Sequence, residues 1–207
     1  ANGVTTAILE LIGSLKADPT FELVDNPDDA DIIHAHTIGL QYIKLSYKYK
    51  EKMIVSAHVI PDSFIGSLIF SQLWQPLAKL YLKYVYNRSK EVIAVAPHVK
   101  TELQNIHVSS KIHVLCNSVN RSKFSPNDEF KLKFRKKYNI DQNAFVALCV
   151  GQIQPRKGIY DFIEAARQTP NITYVWVGGT PFKGLTADYK KLQSVVNDAP
   201  SNIVFTG

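Results

Sequence analysis

The segment from Val150 to Gly158 constrains this chain most, because a glycine-containing loop there joins a strand-like run to a helix-like run. Residues 144–150 are mostly apolar, and residues 159–168 carry apolar side chains at helical spacing. A helix that starts after a strand offers unpaired backbone N–H groups and a positive dipole end. Arg156 and Lys157 add two full charges. The pattern predicts a site for an anion such as a diphosphate; the alternative is an ordinary turn with two solvated cations.

The overall charge also favours anionic partners. The chain has 207 residues, is 45% hydrophobic and 20% charged, and carries a net charge of +6. This composition fits a globular protein with a sizeable core. Nucleic acid, an acidic membrane surface and phosphorylated substrates would each suit a basic protein. We do not expect nucleic acid, because the basic run 131–137 lacks interleaved aromatic residues other than Phe134.

The cysteine positions and the hydropathy pattern further limit the kinds of protein that fit this sequence. The two cysteines, Cys116 and Cys149, stand in apolar strand-like runs, so we expect small buried hydrophobic residues rather than a disulfide. No signal peptide is visible, and no apolar run is long enough to span a bilayer.

Strand-like and helix-like segments alternate along the chain, which predicts parallel sheets covered on both faces. We expect an α/β fold of two Rossmann-like, doubly wound parallel-sheet domains, the second incomplete. The predicted domains are residues 1–120 and 144–207, joined by a polar linker at 121–143. Ligands of such folds bind at the carboxyl ends of strands. The predicted strands cover residues 21–24, 31–35, 53–57, 91–96, 111–116, 145–150, 172–177 and 203–206.

Several short motifs occur together in one order. They lie at residues 29–37, 56–58, 92–96, 114–120, 151–158 and 175–179. With these motifs the chain resembles the retaining glycosyltransferases of GT-B fold, a family that includes sucrose synthases and bacterial lipid and polysaccharide transferases. Residues 58–67, followed by a basic aromatic helix, resemble more narrowly the bacterial glucosyltransferases that act on diacylglycerol. The family's first strand and its pair of donor-binding glutamates are not in this sequence, so we expect an incomplete enzyme that is inactive alone.

The resemblance implies a nucleotide-sugar donor held by the second domain. Lys157 is expected to stabilise the leaving diphosphate and so to take part in catalysis. The family usually has arginine where this chain has Gln152, which removes one charge that would face the phosphate. Arg156 could compensate for that loss. The expected donor-binding residues are Gly3, Gly151, Gln152, Arg156, Lys157 and Gly179.

The resemblance places the acceptor beside His58. This histidine is the second expected catalytic residue, a donor of a hydrogen bond to a sugar hydroxyl or a developing oxyanion; the alternative is a structural histidine. Asp62 and Ser63 are expected on the acceptor side. His34 and His36 lie on one strand face. No third ligand is evident near them, so we expect polar packing rather than a metal site.

A membrane-contact segment follows His58. Residues 63–90 contain no carboxylate, and their basic and aromatic composition suits a helix at a lipid interface. The alternative is an ordinary helix with its apolar side in the core. We expect Pro76 at the first helical position, while Arg88 falls on the apolar face. The expected contact residues are Phe64, Phe70, Trp74, Lys79 and Lys83.

Together these expectations describe a bacterial enzyme that moves a hexose, with glucose as the first choice, from UDP-glucose to diacylglycerol or a glycosyldiacylglycerol with retention. We expect no cofactor, no catalytic metal and no nucleic-acid partner. The protein would be cytoplasmic and peripheral on the inner face of the membrane, where it contacts anionic lipid. Alternatives are transfer to a soluble or polysaccharide acceptor, or a non-catalytic partner subunit, which Gln152 would permit. The oligomeric state stays open.

Overall fold

The computed structural model describes residues 3–64, 71–121, 123–180 and 189–207. The chain divides into two compact units, the first formed by residues 1–62 and 74–125 and the second by residues 63–73 and 126–207. Within these described residues, each unit contains one parallel sheet.

The sheet of the first unit has four parallel strands in sequence order. These strands are β1 (Ile33–Ala35), β2 (Met53–Ala57), β3 (Glu91–Ala94) and β4 (Lys111–Val114). Parallel neighbours need crossover connections, and helices supply them. The crossover helices are α2 (Leu40–Tyr49), α3 (Ser71–Tyr86) and α4 (Pro97–Asn105), and a further helix, α1 (Gly3–Ala17), precedes β1.

Strand β2 lies at the centre of the first unit's core. Its residues Met53, Val55 and Ala57 have no exposed surface, and Ser56 is only 6% exposed. A strand buried on both faces is typical of a parallel sheet covered by helices. Helix α3 packs its own buried residue Val85 into this core, and the backbone carbonyl of Val85 accepts a hydrogen bond of 2.7 Å from the Tyr42 hydroxyl.

The sheet of the second unit has three parallel strands in the order β5 (Val146–Val150), β6 (Thr173–Val177) and β7 (Ile203–Phe205). Its core contains Trp176 of β6, apolar residues of the loop and helix that follow β5, and Leu192 of the helix that follows β6. The Phe162 ring meets the Trp176 ring edge-on, with 5.1 Å between their centroids. The helices are α5 (Asp128–Lys137), α6 (Ile159–Gln168) and α7 (Tyr189–Asn197).

Helix α5 lies inside the stretch predicted as a linker. The Asn127 side chain caps its amino end by accepting a hydrogen bond of 2.8 Å from the Phe130 amide. Acidic residues stand in its first turn and basic residues in its last, which complements the helix dipole. Arg135 donates to the Ala144 carbonyl at 3.1 Å, so its charge holds the backbone that leads into β5. The sequence-based domain limits at 120 and 144 stay predictions.

Two sequence-based expectations about strands and burial are wrong in the first unit. Residues 21–24 do not form a strand, and Phe21 is 54% exposed, because no neighbouring strand pairs with this segment. Strand β4 ends at Val114, and Cys116 lies exposed beyond it rather than buried. Cys149 is partly buried against the core of the second unit, as expected for a small apolar side chain.

Helix α3 begins earlier than expected. Pro76 was predicted at its first position, yet the helix extends from Ser71 and holds Pro76 in its interior. Proline lacks the N–H that an interior residue donates, so the helix lacks one backbone hydrogen bond there.

A close backbone approach joins the ends of β5 and β6. Gly178 has φ +128°, and a Cβ at this position would lie 2.2 Å from the Gly151 carbonyl oxygen. No side chain fits that space, and L-residues rarely adopt that φ. Glycine at 178 is therefore required by both backbone conformation and packing.

We expect Gly178→Ala to lower the free energy of unfolding by about 1–3 kcal/mol, because the added methyl group must displace the Gly151 backbone. Gly13→Ala is the matched control, since a Cβ at Gly13 meets nothing within 4 Å. That change removes glycine from a helix interior and should stabilise by about 0.5–1 kcal/mol. Urea denaturation measures both variants. Equal stability of Gly178→Ala and the wild type would contradict the close approach.

Candidate functional site

The loop after β5 is fixed by hydrogen bonds to the end of β6. The Gly151 amide donates to the Val177 carbonyl at 2.9 Å, and the Ile153 amide donates to the Gly179 carbonyl at 3.1 Å. The Trp176 indole N–H donates to the Gly151 carbonyl at 2.8 Å. These bonds hold the glycine loop rigidly at the carboxyl end of the sheet, where parallel α/β folds bind ligands.

Lys157 folds back over this loop. Its aliphatic stem lies 3.8 Å from the position that a Cβ on Gly151 would take, so a side chain at residue 151 would meet the lysine. Residues Pro155–Lys157 form a single 3-10 turn, and Gly158 then adopts the left-handed conformation at φ 76° before α6 begins. The sequence thus positions the Lys157 side chain beside Gly151, two residues before the first residue of α6.

The amino end of α6 has the properties of an anion site. Gly158 provides no side-chain cap, and the first turn of a helix leaves amide N–H groups without intrahelical partners. The amides and the helix dipole attract negative charge at this end. Asp161 in the first turn already supplies one carboxylate, so a bound phosphate must share the helix end with it.

Arg156 contacts a residue, Gln154, that the sequence interpretation missed. Its Nε donates to Oε1 of Gln154 at 3.0 Å, and Gln154 is only 1% exposed. The buried side-chain amide of Gln154 therefore holds the guanidinium end of Arg156 in place. Trp176 is the second residue missed; its position just before Val177-Gly178-Gly179 was the available signal.

The other expected donor residues are placed as follows. Gln152 is exposed in the loop, and Gly179 accepts the hydrogen bond from Ile153. Gly3 is the first residue of α1, in the first unit, with open space where a Cβ would be. The donor-binding roles of all these residues stay predictions.

Three histidines gather at the carboxyl ends of β1 and β2 in the first unit. His36 and His58 each directly follow a strand, and Nδ1 of His36 lies 3.2 Å from Nε2 of His58. The His34 ring lies 4.3 Å from the His36 ring between centroids, and Nε2 of His34 lies 2.9 Å from the Ser56 hydroxyl. Parallel pairing of β1 with β2 brings together rings that are 22 residues apart in sequence.

All three rings favour the neutral form. Partial burial and the neighbouring rings lower the pKa of His36 to about 4. Desolvation, followed by repulsion from His58, lowers the pKa of His34, although part of this residue stays exposed. Desolvation alone lowers the pKa of His58. The cluster therefore offers uncharged hydrogen-bonding groups near neutral pH.

No group of histidine, cysteine or carboxylate side chains among the described residues has the arrangement of a metal site. Ser63 is partly buried in the short 3-10 turn Pro61–Phe64, which also contains Asp62. The side chains of Asp62, Phe64 and Trp74, and all of Phe70, lie outside the described part of the structure. The acceptor-side roles of His58, Asp62 and Ser63 stay predictions.

The comparisons with known proteins decide the family. The family described as Glycosyltransferase Family 4 matches residues 14–123, more than half of the chain. This chain belongs to Glycosyltransferase Family 4. The resemblance read from its motifs is thereby confirmed.

Two curated relatives match nearly the whole chain. It is 31% identical over 212 residues to the alpha-galactosylglucosyldiacylglycerol synthase of Streptococcus pneumoniae, covering 99% of this chain and 57% of the relative. It is 27% identical over 207 residues to the processive diacylglycerol alpha-glucosyltransferase of Acholeplasma laidlawii, covering 100% of this chain and 61% of the relative. The chain thus spans about three fifths of the length of these relatives.

Solved structures share the fold of this family member. Anabaena HepE in complex with UDP-glucose has a TM-score of 0.67 at 20% identity, covering 86% of this chain and 48% of HepE. Sucrose-phosphate synthase from Thermosynechococcus elongatus has a TM-score of 0.69 at 17% identity, covering 97% of this chain and 48% of the synthase. These likenesses, with the two parallel sheets, confirm the predicted α/β class of GT-B glycosyltransferases.

We expect the histidine cluster to make stability depend on pH below about 6.5. Each folded pKa lies below the usual 6.5, so the unfolded chain takes up more protons on acidification. For His36 the stabilisation is fully present above pH 6.5 and is lost as the pH falls through about 4. Urea denaturation across this range measures the effect. His36→Asn should reduce the slope; an unchanged slope would contradict neutral burial of this ring.

Proposed function

We propose that the full-length protein is a retaining glycosyltransferase that moves a hexose from a UDP-sugar to diacylglycerol or a glycosyldiacylglycerol. Glucose is the sugar that we propose first. The observation that carries the proposal is the glycine loop at residues 151–158, where Lys157 and the uncapped start of α6 converge. The names of the two curated relatives, both diacylglycerol glycosyltransferases, support the lipid acceptor.

The charges at this loop support a nucleotide sugar as the donor. A nucleoside diphosphate gains negative charge as the glycosidic bond breaks, and a fixed cation with oriented amides stabilises that charge. Lys157 and the first turn of α6 supply both kinds of group. HepE, whose fold is similar, is described in complex with UDP-glucose, which supports a nucleotide sugar as the ligand.

A membrane surface is proposed on α3. Four residues spaced by three and four positions form the outer face of α3: Leu77, Leu80, Tyr81 and Tyr84. They are 58%, 64%, 42% and 44% exposed. The opposite side of the same helix is buried in the core through Leu82, Val85 and Tyr86. A helix that is apolar on two sides needs two apolar neighbours, and lipid is the neighbour that we propose for the outer face.

The charges around this face suit an anionic bilayer. Helices α2 and α3 contain no carboxylate, whereas α2 carries Lys44 and Lys48 and α3 carries Lys79 and Lys83. Of these lysines, Lys48 is paired with Asp28 at 2.7 Å. Each cation close to anionic lipid contributes about 1 kcal/mol. Among the described residues no helix is both long and apolar enough to cross a bilayer. We propose that attachment combines the apolar face of α3 with these cations.

Arg88 has a structural explanation that its position on the helical wheel did not supply. Its guanidinium carbon lies 3.7 Å from the Tyr47 ring centroid, and its Nε donates to the Ser46 hydroxyl at 2.6 Å. The Tyr47 and Tyr84 hydroxyls are 3.1 Å apart. A cation–π contact thus links α2 to the segment after α3, and Tyr84 of the proposed lipid surface is held through Tyr47.

Replacing Lys157 with alanine should lower turnover about 100-fold in the full-length protein, by analogy with loss of one oxyanion donor. The assay follows transfer of radiolabelled glucose from UDP-glucose to diacylglycerol in mixed vesicles. Lys190→Ala is the matched control, because Lys190 is an exposed lysine on α7 of the same unit. Near-normal turnover of Lys157→Ala would remove this residue from the donor site.

Replacing Leu80 with serine should weaken binding to anionic vesicles about fivefold, because the loss of apolar burial removes roughly 1 kcal/mol of binding free energy. Leu9→Ser is the matched control: Leu9 is 62% exposed on α1, close to the 64% of Leu80. Vesicle flotation measures binding, and the urea midpoint should stay unchanged in both variants. Equal flotation of the two variants would contradict the proposed lipid surface.

A further inference from the structure

The contact between His36 and His58 uses one nitrogen of each ring. Nδ1 of His36 faces Nε2 of His58 at 3.2 Å, and the ring planes are inclined by 25°. Within the described part of the chain, no hydrogen bond engages the other ring nitrogen of His58, Nδ1. Because His36 occupies Nε2 of His58, Nδ1 is the nitrogen left for a ligand. The His58 residue is half-buried.

Two neutral rings can form this hydrogen bond in only two ways. Either Nε2–H of His58 donates to Nδ1 of His36, or Nδ1–H of His36 donates to Nε2 of His58. In the first arrangement both rings carry their proton on Nε2; in the second both carry it on Nδ1. The Nε2–H form is the more stable neutral form of histidine in water, so the first arrangement satisfies the intrinsic preference of both rings at once.

We infer that His36 is a positioning residue that holds His58 in the Nε2–H tautomer and leaves Nδ1 of His58 as a hydrogen-bond acceptor. Under the proposed function, on which this inference rests, that nitrogen accepts a hydrogen bond from a hydroxyl group of the sugar or of the lipid acceptor. It does not donate to an oxyanion while the ring is neutral. The tautomer of a histidine is commonly set by the bond that its second nitrogen makes.

The surroundings of His36 support a positioning role. The His34 ring packs against it at 4.3 Å between centroids, and His34 is itself held at 2.9 Å from the Ser56 hydroxyl. Ser56 is only 6% exposed in β2. The His34 ring and its contact with Ser56 therefore limit how far the His36 ring can rotate. Because His36 is hydrogen-bonded to His58, this restriction also orients the His58 ring.

Nuclear magnetic resonance of the full-length protein, labelled with ¹⁵N-histidine, tests the inference directly. In the wild type we expect the long-range ¹H–¹⁵N spectrum of His58 to show a protonated Nε2 and an unprotonated Nδ1. His36→Leu removes the acceptor, so His58 should become a mixture of tautomers. His36→Asn places an amide oxygen within reach of Nε2 and should restore the wild-type tautomer. A His58 ring protonated on Nδ1 in the wild type would overturn the inference.

The transferase assay adds a functional measurement. We expect His36→Leu to lower kcat about 10- to 100-fold with a smaller change in KM, as for loss of an outer-shell partner that orients a functional histidine, and His36→Asn to recover most of kcat. His113→Leu is the matched control, because His113 lies on β4 of the same sheet and pairs with Glu91 at 2.9 Å; its kcat should not change. Equal kcat in His36→Leu and His113→Leu would overturn the positioning role.

The two measurements separate this inference from the proposed function. Loss of the predicted tautomer in a protein that still transfers sugar to lipid would overturn the role of His36 alone. The predicted tautomer in a protein without transferase activity would support the histidine pair and contradict the proposed function.

Discussion

The hydrogen bond from the Trp176 indole to the Gly151 carbonyl is the interaction on which the proposed donor site depends. It ties the loop after β5 to the end of β6 at 2.8 Å. Gly178 allows the two backbones to meet there, since any side chain at that position would collide with the same carbonyl. Because the loop cannot move away from the sheet, Lys157 and the start of α6 are held together. A preorganised cation and helix end bind an anion without first being ordered.

The histidine pair in the first unit is also held in place by the fold before any ligand binds, but its groups are neutral. Two parallel strands end side by side, and the residue after each strand carries an imidazole. Burial keeps these rings uncharged, as the low pKa of His36 indicates. Under the proposed function, the charged site would hold the diphosphate and the uncharged site would face hydroxyl groups of the sugar or of the acceptor. Both sites lie where strands end, which is where parallel α/β folds place ligands.

Much of the fold could be predicted from sequence because it rests on local patterns. Strand β2 has the predicted bounds, and the expected strand–loop–helix order around Gly151 is present. The failures come from tertiary pairing: residues 21–24 have strand-like composition but no partner strand, and Cys116 lies beyond the end of β4. Composition cannot reveal whether a neighbouring strand is available.

The candidate site was predictable only in part, for the same reason. Lys157 stands in a local motif, whereas the contact between His36 and His58 depends on how β1 and β2 pair. The buried amide of Gln154, which orients Arg156, gives no signal in the sequence, since glutamine is mostly exposed. The outer face of α3 was visible as apolar spacing, but only its exposure separates it from the core-facing side of the same helix.

A crystal structure of the full-length protein with UDP tests the central claim most directly. The account predicts the diphosphate at the amino end of α6, with the Lys157 ammonium and the first-turn amides within hydrogen-bonding distance of its oxygens. Nucleotide bound elsewhere, with this helix end free of phosphate, would contradict the account.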